Sequence, residues 1–184
     1  MRRDTPRTAV WVVVPIAVAL ALLVGLLATR DPSSDRAVNG MAVGRVAPLT
    51  EGADLDGIWF DLDQHRGQWA LVNFFSTTCV PCIDEHPELV RFSERHRAIG
   101  DALVVSVAFD DSVANVKAFF AENGGDWPVL TEGVGSLAVA YGVTAVPESY
   151  LVAPSGVVAA KLVGGVNADD LDQRIETLLA GVQQ

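Results

Sequence analysis

The sequence predicts a mixed α/β domain that follows a single N-terminal membrane-spanning helix. Two apolar runs rich in strand-forming residues, 70–75 and 102–109, are each followed by a helix-like segment. This alternation of strand and helix is typical of a parallel pairing within an α/β sheet. Ahead of the domain, twenty residues from Ala9 to Ala28 carry no charge, and a run of that length spans a bilayer as a helix.

The N-terminal segment carries its basic residues on one side of the apolar run. Because Arg2, Arg3 and Arg7 precede the run, the positive-inside rule predicts that residues 1–8 are cytoplasmic and that the domain is extracytoplasmic. A cleaved signal peptide is the competing interpretation. Its apolar region is usually about 7–15 residues, and no clear small-residue cleavage site follows Ala28. We therefore expect an uncleaved, single-pass anchor in the cell membrane, with its span at 9–28.

A flexible linker is predicted at 29–45, where Pro, Ser and Gly residues occur without apolar periodicity. The remaining residues, 46–184, are enough for one domain with its own core. After Ala37 the chain has eight basic and twenty acidic residues, a formal net charge of −12. Because phosphate backbones would be repelled, this composition argues against nucleic-acid binding.

The first half of the domain has clear element signals. The runs 70–75 and 102–109 are typical of buried central strands. A first helix is predicted from about 80 to 97. A second begins after Ser112, a favourable N-cap, and ends at Gly124. The apolar residues expected on its buried face are Val113, Val116 and Phe120.

The second half of the domain predicts a hairpin and a last helix. Residues 149–152 and 157–163 flank a Pro-Ser-Gly turn, which indicates two antiparallel strands. The last helix is expected to start near Asn167. Its apolar stripe consists of Leu171, Ile175, Leu178 and Leu179.

The chain has two cysteines, Cys79 and Cys82, which are separated by Val80 and Pro81 at the start of the first predicted helix. Such a pair can close a small disulfide ring and reopen it, which suits electron exchange. A purely structural disulfide is the alternative, but a ring this short restricts the unfolded chain little and adds little stability. We therefore favour redox chemistry, with the disulfide itself as the redox group and no separate cofactor.

Two other uses of paired cysteines fit poorly. A zinc site would need further ligands, and the three histidines, His65, His86 and His96, lack finger-like spacing. Haem attachment requires a histidine directly after the second cysteine, where this chain has Ile83. We expect no metal site. His86 is expected to be a capping or surface histidine.

Four segments together resemble a known family. They are Asn73-Phe-Phe-Ser-Thr-Thr-Cys-Val-Pro-Cys82, Pro87, Tyr141-Gly-Val-Thr-Ala-Val-Pro147 and the hairpin at Gly156. The combination resembles the thioredoxin fold, a central mixed sheet flanked by helices. More narrowly, it is similar to the membrane-anchored TlpA-like thiol-disulfide oxidoreductases of the ResA and CcmG type, including those that serve cytochrome c maturation. The resemblance covers about 44–179.

The resemblance implies distinct roles for the two cysteines. Cys79 would be the exposed attacking thiol, because a helix N-terminus stabilises its thiolate through free backbone N–H groups and the helix dipole. Cys82 would be the buried resolving thiol, which attacks the mixed disulfide and releases the product. Val80 and Pro81 would shape the turn and help set the potential.

The resemblance also assigns a substrate-binding segment. Pro147 resembles the cis proline that faces the cysteines in thioredoxin folds, and an ordinary turn proline is the alternative. Val146 would leave its backbone free to pair with an extended substrate, like a strand added to an edge. Glu148 resembles the glutamate found there in the cytochrome-maturation branch, and the alternative is a solvated carboxylate at a strand end.

Two further residues bear on proton transfer. Glu85 lies three residues after Cys82 on the same helical face, where a carboxylate could take up or return the proton of that thiol. Compensation of the helix dipole is the alternative. Asn73 takes the strand position where ordinary thioredoxins carry a buried aspartate, and an amide cannot shuttle a proton. Acid–base work therefore falls to Glu85 or Glu148, with a structural amide hydrogen bond as the other use of Asn73.

One position departs from the family pattern. Thr78 stands immediately before the first cysteine, where these proteins usually have tryptophan. Loss of the aromatic wall is expected to change the exposure of Cys79 and the surface that meets the substrate. The family's potential and partners therefore do not transfer directly.

The resemblance implies a reductase that acts on cysteine-containing proteins. It would keep apocytochrome c cysteines reduced for haem attachment, with electrons from a membrane thiol carrier. The main alternative is an oxidase that introduces disulfides into exported proteins. A thiol peroxidase is less favoured because position 72 is Val, although Ser76 lies close to the cysteine. A non-catalytic binding module is the remaining alternative.

Overall fold

The structure is a computed structural model that describes residues 42–182 together with Ile16, Leu20 and Leu22. The chain divides into two compact units, Met1–Arg36 and Ala37–Gln184. In the first unit the three described residues are helical and exposed. Residues 1–8, the predicted cytoplasmic end, lie outside the described residues. Most of the predicted span and most of the predicted linker also lie outside them. Over the part of the chain that is described, no helix is long and apolar enough to cross a membrane.

The second unit is built from seven described strands and four described helices. In chain order they are β1 (Glu51–Ala53), β2 (Trp59–Asp61), β3 (Trp69–Phe75), α1 (Val80–Arg97), β4 (Ala102–Ala108), α2 (Val113–Asn123), β5 (Val129–Leu130), α3 (Val134–Tyr141), β6 (Glu148–Val152), β7 (Val158–Val163) and α4 (Ala168–Val182). A 3₁₀ turn, Leu62–His65, follows β2.

Five of the strands form one mixed sheet in the order β5-β4-β3-β6-β7. β3 pairs in parallel with β4, and β4 with β5, whereas β6 is antiparallel to both β3 and β7. β1 and β2 form a separate antiparallel pair. The predicted central mixed sheet with flanking helices is therefore confirmed.

Strand β3 lies at the centre of the sheet, and all seven of its residues are buried. Successive side chains of a strand point to opposite faces. Leu71 and Phe75 accordingly pack into the core that α1 and α4 cover, and Val72 and Phe74 pack into the core that includes Tyr141 of α3. The cysteines begin α1, so they lie at the carboxyl end of β3.

The long elements agree with the sequence-based predictions. α1 has the predicted bounds, Ser112 caps α2 by accepting a hydrogen bond from the N–H of Asn115 (3.1 Å), and the hairpin is antiparallel. Two apolar side chains expected on buried faces are instead partly exposed, Val113 by 46% and Leu179 by 47%. These residues lie at the ends of their helices, beyond the edge of the core.

The domain begins to make contacts before Val46. Ala42, in the last part of the predicted linker, is buried. The N–H of Gly44 donates to the carbonyl oxygen of Val158 (2.8 Å), and Val46 forms a bridge with Val157. This segment therefore pairs with the start of β7 and with the turn before it.

Candidate active site

The two cysteines form a disulfide at the first turn of α1. Cys79 is the N-cap, with extended backbone angles (φ −86°, ψ 110°), and Pro81 occupies the first turn, where no helical N–H bond is required. Cys79 is half-buried, whereas Cys82 is only 3% exposed. Cys79 is therefore more accessible to solvent than Cys82, as expected if Cys79 is the attacking thiol and Cys82 the resolving thiol.

The loop between α3 and β6 lies against the accessible sulfur. Sγ of Cys79 is 3.6 Å from the carbonyl oxygen of Val146, a contact without a proton while the disulfide is closed. The peptide bond between Val146 and Pro147 is cis. Val146 is half-buried and Pro147 is buried. The structure thus brings Cys79, Val146 and Pro147 together, as the resemblance implies.

Glu85 is a buried carboxylate one helical turn after Cys82, with 3% of its surface exposed. Its Oε1 accepts a hydrogen bond from Nδ2 of Asn73, and its Oε2 accepts one from the N–H of Val166, both at 2.9 Å. Burial raises the pKa of Glu85 to about 7, although both hydrogen bonds act in the opposite direction. Near neutral pH this side chain can therefore both accept and donate a proton.

Asn73 connects Glu85 to the sheet. Its Nδ2 donates to Glu85 and also to Oγ of Ser149 (3.0 Å), while its Oδ1 is buried and accepts no hydrogen bond from any described residue. Rotation of the amide would turn Oδ1 towards Glu85, which can donate only when it is protonated. The pair can therefore stay hydrogen-bonded in either charge state of the carboxyl group.

Glu148 does not join this group. It lies opposite Phe74 in the pairing of β3 with β6, and its Oε2 accepts a hydrogen bond from the Tyr150 hydroxyl (3.1 Å). Asn73, the neighbour of Phe74 on β3, points to the other face and contacts Glu85. The two candidate acid–base residues therefore lie on opposite faces of the sheet.

Glu148 instead forms a fully buried ion pair. Its Oε2 lies 2.9 Å from Nζ of Lys161. Its Oε1 accepts a hydrogen bond from the Thr144 hydroxyl (2.7 Å). Burial acts to raise the pKa of Glu148, but the hydrogen bonds from Lys161 and Thr144 outweigh it and lower the pKa. An ionised carboxylate without access to the cysteines is suited to hold the loop rather than to transfer their protons.

His86 is buried, so the expectation of a surface position is wrong. It is 3% exposed, its Nε2 lies 2.9 Å from the carbonyl oxygen of Gly124, and its ring packs against Phe119, Phe120 and Trp127. Burial lowers the pKa of His86 and outweighs the hydrogen bond to Gly124. The aromatic neighbours come from α2 and the segment after it, so no local sequence signal indicates this burial.

The segment before Cys79 has a polar environment in place of the missing aromatic ring. Thr78 is exposed, and its hydroxyl lies 3.1 Å from that of Ser76. Val80 is 66% exposed beside it. Oδ2 of Asp111 accepts hydrogen bonds from the N–H (2.7 Å) and the hydroxyl (2.6 Å) of Thr77.

Sequence reasoning missed two charged residues that hold segments next to the cysteines: Asp111, which contacts Thr77, and Lys161, which pairs with Glu148. A signal for each was present. Asp111 follows β4, and the carboxyl ends of neighbouring parallel strands meet at one edge of a sheet, next to the segment that leads to Cys79. Lys161 is the single charged residue in the apolar run 157–163, which favours a buried partner.

Known proteins share sequence similarity with most of this chain. The Redoxin family model matches residues 42–179. The thiol:disulfide interchange protein HelX of Rhodobacter capsulatus is 29% identical over 142 residues, which cover 75% of this chain and 77% of that protein. The thiol-disulfide oxidoreductase ResA of Geobacillus thermodenitrificans is 28% identical over 138 residues, which cover 75% and 79%.

Solved structures include similar folds. A thiol:disulfide interchange protein of the thioredoxin family from Chlorobium tepidum superimposes with a TM-score of 0.67 and 28% sequence identity, over 73% of this chain and 95% of that one. The chain therefore belongs to the Redoxin family and is a thioredoxin-fold, TlpA/ResA-like thiol-disulfide oxidoreductase.

Proposed function

We propose that this protein is a membrane-anchored, extracytoplasmic reductase that keeps the cysteines of apocytochrome c reduced for haem attachment. The reductive direction is supported by one observation above all, the buried carboxylate of Glu85 one turn after the buried Cys82. The substrate class is supported by the resemblance of the sequence to the cytochrome-maturation branch, and the location by the apolar run 9–28 with its preceding arginines.

The proposed exchange begins at Cys79. Its thiolate attacks one sulfur atom of a substrate disulfide, which forms a mixed disulfide and releases the first substrate thiolate. The carbonyl oxygen of Val146, close to Sγ of Cys79, accepts a backbone N–H from the substrate strand. This pairing holds the substrate chain beside the reacting sulfur atoms.

Cys82 completes the exchange. It passes its proton to Glu85 and attacks Sγ of Cys79, which releases the second substrate thiolate and leaves the Cys79–Cys82 disulfide. Two electrons have then passed to the substrate. A membrane thiol carrier regenerates the dithiol by the same exchange in reverse. Because the pKa of Glu85 is about 7, the carboxylate is available as a proton acceptor near neutral pH.

The charges around the pair support a reducing potential. A thiol pair is strongly oxidising when its reduced form is stabilised. An environment that stabilises the thiolate has this effect. Val80 and Pro81 bring no charge between the cysteines, and burial lowers the pKa of His86 so that it stays neutral. An ionised Glu85 disfavours a thiolate at Cys82. These features favour a low reduction potential, so the dithiol acts as a reductant.

The reduction potential tests the proposed direction. The protein is equilibrated with glutathione or dithiothreitol mixtures, and the fraction of Cys79–Cys82 disulfide is measured. We expect a value near that of thioredoxin, about −270 mV. A value near that of a strong oxidant, about −120 mV, would instead assign the protein to disulfide formation in exported proteins.

A trapping experiment tests the substrate class. Cys82→Ser removes the resolving thiol, so the mixed disulfide at Cys79 should accumulate and identify the bound protein. Cys79→Ser is the matched control and should trap nothing through Cys82, which is buried. Recovery of proteins without a haem-attachment cysteine pair, or of none, would refute the apocytochrome assignment.

A further inference from the structure

A carboxylate outside the cysteine motif holds the segment that leads to Cys79. Asp111 lies between β4 and α2 and is half-buried. Its Oδ2 accepts hydrogen bonds from the N–H of Thr77 (2.7 Å), the Thr77 hydroxyl (2.6 Å) and the Ser76 hydroxyl (3.3 Å). Hydrogen bonds to an ionised acceptor are the strong ones.

The other oxygen of Asp111 fixes the carboxylate itself. Its Oδ1 accepts hydrogen bonds from the N–H of Ser112 (2.8 Å) and from Nδ2 of Asn115 (3.3 Å), both at the start of α2. Burial opposes ionisation of Asp111, but the hydrogen bonds from Thr77, Ser112 and Asn115 outweigh it and lower the pKa. The start of α2 thus provides a fixed, ionised acceptor for the segment after β3.

The held segment is the turn that places Cys79 at the head of α1. The N–H of Cys79 donates to the carbonyl oxygen of Ser76 (3.2 Å), which closes the turn. Thr78 is tied into it through its hydroxyl and its N–H, which lie 3.1 and 3.4 Å from Oγ of Ser76. Each residue between β3 and Cys79 therefore contacts Asp111 or a residue that does.

We propose that Asp111 is a positioning residue for thiol–disulfide exchange, which keeps Cys79 at the N-terminus of α1 by holding the hydroxyl-rich turn Ser76–Thr78. In this chain the turn ends in Thr78, so hydrogen bonds to Asp111 fix a segment that has no tryptophan packed before the cysteine. The inference rests on exchange at Cys79 and is independent of the direction of electron flow and of the substrate.

Positioning and simple charge effects predict opposite results. A negative charge near a thiol disfavours the thiolate, so removal of a charge alone should make Cys79 more reactive at neutral pH. Loss of the turn instead weakens the stabilisation of the Cys79 thiolate by the N-terminus of α1. Removal of Asp111 should then make Cys79 less reactive.

The test is the pH profile of Cys79 alkylation by iodoacetamide in the reduced, full-length protein. In Asp111→Ala we expect the rate at pH 7 to fall about threefold to tenfold and the profile to move to higher pH, with the rate at high pH unchanged. Asp110→Asn is the matched control. It removes a neighbouring charge at a position with φ 53°, a conformation that asparagine tolerates, and should not slow the reaction.

A second pair of variants keeps the test decisive if Asp111→Ala does not fold. Thr77→Val removes the hydroxyl that bonds to Asp111, whereas Thr77→Ser retains it. We expect Thr77→Val to slow alkylation at pH 7 in the same sense as Asp111→Ala, and Thr77→Ser to stay close to the wild type. An unchanged or faster reaction in folded Asp111→Ala, or equal losses in both Thr77 variants, would overturn the proposal.

Discussion

Burial determines what Glu85 can do at the scale of a single residue. Outside the protein its carboxyl group would be ionised at neutral pH, but in the folded chain its pKa is about 7. The carboxyl group is therefore partly protonated near the pH at which Cys82 must lose its proton. The side chains around it can accommodate both forms, since the amide of Asn73 offers either a donor or an acceptor.

Glu85 should make the stability of the oxidised protein fall as the pH rises. Its folded pKa lies above the ordinary value of 4.5, so the folded protein binds the extra proton between pH 4.5 and about 7, and the stability associated with that proton is lost across this window. Across this window the free energy of unfolding should fall by about 3 kcal/mol. Urea unfolding from pH 4 to 8 measures it.

Glu85→Gln is the matched variant for this measurement. Glutamine can accept from the N–H of Val166 and donate to the otherwise unpaired Oδ1 of Asn73 after that amide rotates, so the variant should fold. It cannot ionise, and its stability should lack the decline between pH 4.5 and 7. Parallel curves for the two proteins would show that Glu85 has an ordinary pKa.

The sequence alone predicts some of these residues and not others. Cys82 and Glu85 are three positions apart on one helix, so their shared face follows from helical geometry. The face on which Glu148 lies depends on its register against Phe74, a pairing between distant parts of the chain. The burial of His86 depends likewise on aromatic residues of α2.

At the scale of elements, a buried ion pair joins the β6–β7 hairpin to the loop that carries Val146. Nζ of Lys161 donates to the carbonyl oxygen of Gly142 (3.0 Å), at one end of the loop. Glu148 accepts from the hydroxyl of Thr144, inside it. The pair therefore fixes the loop from the face of the sheet opposite to Glu85.

Removal of one partner of this pair should be costly. Lys161→Met leaves Glu148 buried without its counter-charge, and we expect a loss of about 3–5 kcal/mol in the free energy of unfolding. The double variant Lys161→Met/Glu148→Gln should lose less than the sum of the two single variants, because no unpaired charge is left. Urea unfolding of the four proteins measures the coupling, and additive losses would contradict it.

Element prediction succeeded where the pattern is long and failed where it is short. α1 and β4 have many residues with consistent local preferences, and their positions were predicted well. β5 has two residues and β1 has three, too few for any period. α3 contains no charged residue, so its sequence lacks the polar face that marks an amphipathic helix.

At the scale of the whole molecule, the start of the domain is set by backbone contacts. β7 is the outer strand of the sheet, and an uncovered outer strand exposes unpaired N–H and C=O groups. Residues 44–47 cover the start of this edge through main-chain hydrogen bonds to Gly156 and Val158. Such bonds do not depend on apolar side chains, which is why the composition of 29–45 gives no sign that the domain has begun.

A chain that begins at Thr50 should consequently be less stable than one that begins at Ala37. It would lose the three main-chain hydrogen bonds that join this segment to residues 156–158: Gly44 N–H to Val158 (2.8 Å), Ala47 N–H to Gly156 (2.9 Å) and Val158 N–H to Arg45 (2.9 Å). At about 1 kcal/mol each, the loss is about 3 kcal/mol, measured by urea unfolding. Equal stability would mean that residues 42–49 contact the start of β7 without stabilising the domain.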